Sequence, residues 1–328
     1  MAGKLNKKFL SDNSIWLVFI GMCVIVTVAS GGIFLTWNNI KSVLMSESVI
    51  GILTMGVMWA ILSKGIDLSP GAVVALTSVI SASMVQKADY ADKLFPNMPD
   101  MPIIVGIVVA IIAGTLIGVL NGWLIAYTKI PAFIATLGTQ LIAKALANMY
   151  TSAYPVPTLK DSFKFLGQGT IAGVMPVVVV ICIIFVIVSG FMLTQTRFGK
   201  HVYAIGGNDQ AARVAGINVE KNLIMVYTWC AFCASVGGIL LAARSGSGNA
   251  SYGLNYELDA IAAATVGGTS HSGGVCRISG VIAGILIMGV LKNGMLLLGM
   301  NAYLQQAFKG AIIIIAVVLD MRKNVKKV

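Results

Sequence analysis

Charged residues are scarce in this chain of 328 residues. Asp, Glu, Lys and Arg together make up 11% of the sequence, and 57% of the residues are hydrophobic. A soluble domain carries about 25% charged residues, so this chain could not cover a surface that faces water. The scarcity of charge excludes an ordinary soluble protein and predicts an integral membrane protein that is all-α.

The sequence also lacks the residue groups on which most enzymes depend. It has two histidines and five cysteines. Cys230 and Cys233 form a C-x-x-C, but they lie within the apolar stretch VYTWCAFCASVGG, where a redox or metal site would lack polar surroundings. The phosphate-binding pattern G-x-x-x-x-G-K-[ST] is absent. We therefore expect no catalytic residue, no metal site, no cofactor and no ATPase site on this chain.

Long apolar runs are what the sequence has in abundance. A spanning helix needs about 20 mostly apolar residues, and ten segments are candidates, some of them short or broken by glycine. They are 15–35, 43–62, 70–86, 102–127, 131–149, 175–194, 223–243, 258–270, 278–298 and 302–320. The sequence thus predicts one transmembrane domain, residues 1–328, with about ten transmembrane helices.

The net charge of +11 is distributed unevenly along the chain. Basic residues cluster at the N-terminus, in the polar segment 195–222 and at the C-terminus. The loops at 86–100 and 151–170 show no such excess. Because lysine and arginine favour the cytoplasmic side, both termini and segment 195–222 are predicted to be cytoplasmic. We expect the charge to face the lipid bilayer surface and not nucleic acid.

Two glycine-containing stretches indicate an internal repeat. IGVLNGWLIAY (117–127) and MGVLKNGMLLL (288–298) are alike apart from one insertion. They would be the fourth and ninth spans and would point in opposite directions, which is typical of inverted repeats in transporters. The pattern predicts two five-helix halves, although glycine-rich apolar helices also resemble one another without any repeat.

Segment 195–222, called the island below, carries signals for a short helix. Asn208 is a good N-cap, Asp209 suits a first turn and Gly216 suits the position after the last turn. We expect a helix over 208–215 with Ala211, Ala212 and Ala215 on its surface, where small side chains let another surface approach closely. The alternative is a solvated loop with an incidental helical turn.

The island resembles the cytoplasmic coupling loop of bacterial ABC-importer permeases in the branched-chain amino acid/ribose permease family. Three other segments are similar to the same family in the same order: GIDLSPGAVVALTSVI (65–80), NGWLIAYTKIPAFIATLGT (121–139) and YELDAIAAATVGGTSHSGG (256–274). The resemblance covers residues 40 to 322 and is greatest for the galactose/methyl-galactoside branch. One departure is Cys276, where the family often has a glycine; a cysteine would fit poorly if that position needed a positive φ.

The resemblance implies a permease of the bacterial inner membrane that imports a monosaccharide. It implies a second permease copy, with the path between the copies, and a sugar-binding protein docked outside. It also implies a separate dimeric ATPase, which holds the ATP and Mg²⁺ and grips the island. The ATPase-coupling residues implied are Gly207, Asn208, Asp209, Ala211, Ala212, Arg213 and Gly216.

Polar residues inside the predicted spans are the candidates for the translocation path. Ser69 can cap a helix that starts at Pro70, Asp67 lies just before it, and Asp259 lies near another helix start. On the fifth span, Thr136, Thr139, Gln140 and Lys144 fall on one face, and Asn121 is a lone amide in the fourth. Each of these residues either contacts the moving sugar or braces neighbouring helices and turns.

Two other functions stay open at this point. An ion-coupled secondary transporter needs a buried ionisable group, for which Asp67 or Asp259 could serve, but the island argues against it. An ATP-driven permease with another cargo, such as a different sugar or a nucleoside, is the second.

Overall fold

Helices form most of residues 14–325, the part of the chain that the computed structural model describes. The elements in chain order are α1 Ser14–Ala29, a 3-10 turn Ile33–Leu35, α2 Trp37–Leu62, α3 Pro70–Met84, α4 Ile103–Thr128, α5 Ala132–Thr151, α6 Asp161–Gln168, β1 Thr170–Ile171, β2 Met175–Pro176, α7 Val177–Gln195, α8 Arg197–Gly207, α9 Asp209–Val214, α10 Val219–Ser245, α11 Tyr256–Val266, α12 Ile278–Leu297 and α13 Ala302–Val325. The two strands pair antiparallel in a small hairpin. The predicted basic termini fall mostly outside the described residues.

A helix lies within each of the ten segments that hydropathy marks as apolar. Six of the helices in residues 14–325 are long and apolar enough to cross a membrane, namely α2, α4, α7, α10, α12 and α13. α1 and α3 are apolar but shorter. α11 has 11 residues and is therefore about 16 Å long, roughly half the thickness of the hydrocarbon core.

The helix α10 occupies the centre of the molecule and packs against α2, α3 and α4. Glycines of α4 allow the closest of these contacts. A Cβ at Gly118 would overlap the carbonyl oxygen of Tyr227, and a Cβ at Gly122 would lie 2.5 Å from the Cα of Ile224. The two backbones are thus in direct contact, as small residues permit between membrane helices.

Two long helices are each followed by a break and a short helix. α2 ends at Leu62 and α3 begins at Pro70, while α10 ends at Ser245 and α11 begins at Tyr256. The starts of the two short helices meet, because a Cβ at Gly71 would overlap both the carboxylate of Glu257 and the carbonyl of Gly253. The interior of the protein therefore contains non-helical backbone at both breaks.

Two helices outside the apolar segments were not predicted from the sequence. α6 and α8 are short and amphipathic, with Phe163 of α6 and Val202 and Ile205 of α8 buried against the bundle. Their polar faces interrupt the hydropathy signal, so a search for apolar runs does not find them. They lie at opposite ends of the molecule, called here the α6 end and the island end.

The close contact between α4 and α10 makes the protein sensitive to added volume at Gly118. We expect Gly118→Val to lower the thermal unfolding midpoint of the purified protein in detergent, because overpacking costs about 1–3 kcal/mol. Gly138→Val is the matched control, since a Cβ there meets no atom within 4 Å. Equal midpoints for the two variants would show that α4 and α10 can separate freely.

Candidate functional site

A chain of hydrogen bonds braces the break before α3. The Asp67 carboxylate accepts from both the backbone N–H (2.9 Å) and the hydroxyl (2.7 Å) of Ser69. Asn121 on α4 donates to the same hydroxyl at 3.0 Å, and Thr139 on α5 donates to the Asn121 carbonyl at 2.6 Å. Thr136 accepts from the backbone N–H of Leu68 at 3.1 Å. These hydrogen bonds attach the non-helical break to α4 and α5.

All five of these side chains are buried within the single chain, with 3% or less of each residue exposed. The structure brings together five of the sequence-predicted path residues, but it places them among other side chains and not along an open surface. Their geometry is that of structural support for non-helical backbone, which hydrocarbon tolerates only where protein satisfies it.

The predicted capping role of Ser69 is wrong in its details. Pro70 is indeed the first residue of α3. Ser69 itself has α-helical backbone angles, and its side chain makes no capping bond to the helix. The nearby Asp67 carboxylate attracts the hydroxyl, because a charged acceptor bonds more strongly than a neutral one.

Gln140 borders a cavity between α5 and the start of α11. It donates to the Glu257 carboxylate at 3.3 Å, and Lys144, one turn further along α5, donates to the Ala250 carbonyl at 2.5 Å. The cavity has a volume of about 160 Å³. The second carboxylate oxygen of Glu257 is buried and has no hydrogen-bond partner. Among the four polar residues predicted on one face of α5, Gln140 is therefore the one that hydrogen-bonds a carboxylate lining a cavity.

Asp259 borders a second cavity, of about 180 Å³, on another side of α11. Its carboxylate pairs with Lys309 of α13 at 2.5 Å, and nearby Lys292 of α12 lies 3.6 Å from Glu47 of α2. Glu47, Lys292 and Lys309 were not predicted from the sequence. The available signal was simply that each is a charged residue inside an apolar segment, which is a sign of function in a membrane protein.

The predicted short helix of the island is present as α9. It covers Asp209–Val214, slightly less than the expected 208–215, and the Asn208 side chain caps it by accepting from the Ala211 N–H at 3.0 Å. Asp209 lies in the first turn, and Gly216 has a φ of 81° just after the end. The sequence signals for the start and the end of this helix are confirmed.

The expected surface of α9 needs one correction. Ala212 is only 3% exposed, since it packs against Ile205 and Val219 of the same chain. Ala211 and Ala215 are exposed as expected. The most exposed large apolar side chain of the island is Val214, at 92%. The face that is open to another protein is therefore formed by Ala211, Val214 and Ala215.

Arg213 and Gly207 make contacts inside the chain. Arg213 forms an ion pair of 2.6 Å with Glu220 at the start of α10. The Gly207 carbonyl accepts from Lys64, just beyond the end of α2, at 3.1 Å. These two residues hold the island against neighbouring helices.

The island is also joined to the turn 267–277, which follows α11. The Tyr203 hydroxyl of α8 donates to the Cys276 carbonyl at 2.6 Å, and burial raises the pKa of Tyr203 to about 12, so it stays a neutral donor. Gly268, Gly273 and Gly274 supply the positive φ values of this turn, 86°, 78° and 69°, and Cys276 does not have one. The cysteine therefore fits the turn without strain.

The same turn binds the far end of α13. Asp320 accepts from the Ser270 hydroxyl at 3.0 Å and from the His271 N–H at 2.9 Å. Burial lowers the pKa of His271, whose ring pairs with Thr265 at 2.8 Å. α8, α11 and α13 thus meet at one turn at the island end.

Comparison with known proteins decides the family. The family model described as "Branched-chain amino acid transport system / permease component" matches residues 39–317. The chain belongs to this permease family. Membership makes it a transport subunit and explains the abundance of apolar helices.

Individual relatives match over nearly their whole length. The galactose/methyl galactoside import permease protein MglC of Escherichia coli K12 is 39% identical, with 98% of this chain and 99% of the relative covered. MglC of Haemophilus influenzae is 38% identical over 98% of each chain. The ribose import permease protein RbsC of Escherichia coli K12 is 37% identical, covering 97% of this chain and 96% of the relative. No solved structure matches the chain.

The buried hydrogen-bond chain predicts a stability role for Asn121. We expect Asn121→Leu to destabilise the purified permease by about 1–3 kcal/mol, because it removes two buried hydrogen bonds, one to the Ser69 hydroxyl and one from the Thr139 hydroxyl. Asn148→Leu is the matched control, since the Asn148 amide donates to the Lys144 carbonyl of its own helix. The thermal unfolding midpoint is the measurement. An unchanged midpoint for Asn121→Leu would refute the bracing role.

Proposed function

We propose that this chain is the membrane permease subunit of an ATP-driven importer of a monosaccharide, galactose or methyl galactoside or a related hexose. The observation that carries the proposal is the match to MglC over 98% of this chain. Ribose is the second candidate, because RbsC is almost as similar at 37% identity.

The proposed architecture is ten spans in two inverted halves of five. The pairs of similar helices support it: α2 with 26 residues and α10 with 27 are each followed by a break and a short helix, α3 or α11. The two stretches that resemble one another in the sequence lie in α4 and α12. Each half supplies one helix that is shorter than a full span, and the starts of both meet inside the protein.

The proposed partners are a second permease copy, a sugar-binding protein outside and a cytoplasmic ATPase. The ATPase must supply the nucleotide chemistry, including ATP and Mg²⁺, because this sequence lacks a phosphate-binding loop. The chain lies in the inner membrane, with both termini and the island in the cytoplasm. The α6 end then faces outward. There the Lys164 and Lys87 ammonium groups hold the pKa of Asp161 at about 2.

The proposed role of the island is to dock on the ATPase through α9. The exposed Ala211, Val214 and Ala215 form a small convex surface, and Asn208 and Gly216 fix its ends. Gly207, Asp209 and Ala212 belong to the same segment, with Ala212 serving to anchor α9 on the chain itself. The ion pair of Arg213 with Glu220 would transmit a displacement of α9 directly to α10.

Transport by the complete system tests the proposed function. We expect proteoliposomes that contain this permease, its ATPase and its binding protein to take up labelled D-galactose only when ATP is supplied. Excess methyl galactoside should compete, and ribose should compete less. Uptake that is independent of ATP and driven by a proton or sodium gradient would show a secondary transporter instead. Preferential uptake of ribose would identify ribose, the second candidate, as the substrate.

Docking through α9 makes Val214 sensitive to charge. We expect Val214→Glu to reduce co-purification of the ATPase at least tenfold, because an unpaired carboxylate buried in a contact costs several kcal/mol and 1.4 kcal/mol is a factor of ten. Val174→Glu is the control: Val174 is 56% exposed in the hairpin that follows α6, so this change should leave ATPase recovery unaltered. Equal recovery for both variants at equal membrane abundance would place the ATPase contact elsewhere.

A further inference from the structure

The cavity beside Asp259 contains four charged side chains that the sequence analysis did not connect. Glu47 of α2, Asp259 of α11, Lys292 of α12 and Lys309 of α13 line a volume of about 180 Å³, together with Gln306 and apolar side chains. Each charge comes from a different helix. The cavity is therefore a place where the fold concentrates charge between its helices.

The charges in the cavity are arranged by depth. The side chains of Glu47 and Asp259 are only 7% and 9% exposed, whereas that of Lys309 is 24% exposed and that of Lys292 is 46% exposed. Acceptors thus lie at the inner wall and donors nearer the mouth. Lys292 lies 3.6 Å from Glu47, beyond the usual hydrogen-bond range of about 2.7–3.2 Å, so both groups keep capacity for another partner.

The position of this cavity within the helices disfavours a mouth that faces lipid. Glu47 is the eleventh residue of the 26-residue α2, so it lies about 15 Å from the start of that helix. A charged side chain at such a depth costs about 2.5–3.5 kcal/mol when it faces hydrocarbon. Because the Lys292 side chain is 46% exposed at this opening, we expect the opening to face water or protein.

We propose that this cavity is a hydroxyl-binding subsite on the translocation path, occupied by the sugar during passage. The inference rests on the function proposed above. Carboxylates accept hydrogen bonds from hydroxyl groups, and lysine and glutamine donate to hydroxyl oxygens. The lining can therefore bind a hydroxyl group both as a donor and as an acceptor. The two acids and two lysines sum to zero formal charge, which suits a neutral polyol.

A second arrangement of the same residue types supports the proposal. On the other side of α11, Gln140 and Lys144 of α5 line a cavity with Glu257. Gln305 and Lys309 of α13 have the same spacing of four residues and line the cavity with Asp259. The cavity-facing acceptor is the Glu257 oxygen that binds Gln140, because the other oxygen is buried against Gly71. α11 therefore carries one acid toward each of two cavities.

Protection from a thiol reagent tests whether sugar reaches the cavity. The experiment uses the complete importer in proteoliposomes, with the five cysteines of the permease replaced and Gln306→Cys introduced. We expect a water-soluble methanethiosulfonate to modify the cysteine at position 306. Addition of D-galactose, together with loaded binding protein and ATP, should slow this modification at least threefold. Tyr303→Cys is the control on the same helix, because Tyr303 does not line the cavity. Absence of protection at 306, or equal protection at 303, would overturn the proposal.

Exchange of the charges at positions 259 and 309 distinguishes a sugar-binding role of this ion pair from a purely structural one. Asp259→Asn should lower galactose uptake at least tenfold. The double change Asp259→Lys with Lys309→Asp keeps an ion pair, so we expect it to restore thermal stability. We do not expect it to restore uptake, because the donor then lies at the inner wall of the cavity and the acceptor lies nearer its mouth. Restoration of both would show that the pair is structural only and would overturn the proposal.

The same preparations distinguish failure of this inference from failure of the proposed function. If the wild-type importer takes up galactose and the Asp259→Asn importer takes it up at the same rate, the subsite is refuted and the proposed function stands. Wild-type importer that takes up labelled leucine and not galactose would refute both, because a branched-chain amino acid would then be the cargo.

Discussion

The structure depends on one constraint, that polar backbone cannot be left unsatisfied in hydrocarbon. Continuous helices meet it without help, but the breaks before α3 and α11 do not. At the first break, side chains supply the missing partners: Asp67 binds the N–H of Ser69, and Thr136 binds that of Leu68. Asn121 and Thr139 extend the support to α4 and α5. The network is not fully satisfied, because the second carboxylate oxygen of Asp67 is buried without a hydrogen-bond partner. Five of the path candidates thus take part in holding the break, whereas Gln140 and Asp259 lie at the cavities beside α11.

The glycines of α4 follow from the same constraint. Lipid gives little hydrophobic force for helix association, so close backbone packing must supply it. Gly118 and Gly122 bring α4 against α10, and α10 in turn packs on α2 and α3. This close contact surrounds the first break with helices on several sides. Gly56 of α2 approaches Cys230 and Cys233 of α10 in a similar way, so these buried, free thiols are small apolar side chains at a tight contact, as their sequence context indicates.

Sequence reasoning located helices well where local signals decide and poorly where tertiary contacts decide. The apolar runs locate the long helices to within a few residues, apart from α2, which begins six residues before its run, because hydropathy is a property of the segment itself. Asn208 and Gly216 locate α9, because capping is local. The burial of Ala212 depends on Ile205 and Val219 of neighbouring helices, and no periodicity in a six-residue helix shows that. Three of the cavity charges, Glu47, Lys292 and Lys309, were missed for a similar reason: they and Asp259 are far apart in the chain, and only the fold makes them neighbours.

The island and the cavity of Asp259 are connected through two helices. The island contacts the end of α2 through the bond from Lys64 to Gly207, and it contacts the turn after α11 through the bond from Tyr203 to Cys276. That turn is itself bound to Leu62, the last residue of α2, because Gly274 donates to its carbonyl at 3.0 Å. α2 carries Glu47, and α11 carries Asp259. A force applied to the island therefore acts on the ends of both helices that place the acids in the cavity. If such a force moved α2 and α11 relative to each other, the separation of those acids would change and, with it, the strength of any hydroxyl contact between them. Weak, adjustable binding is what a transport path requires, because a site that held sugar tightly in every state would stop its release.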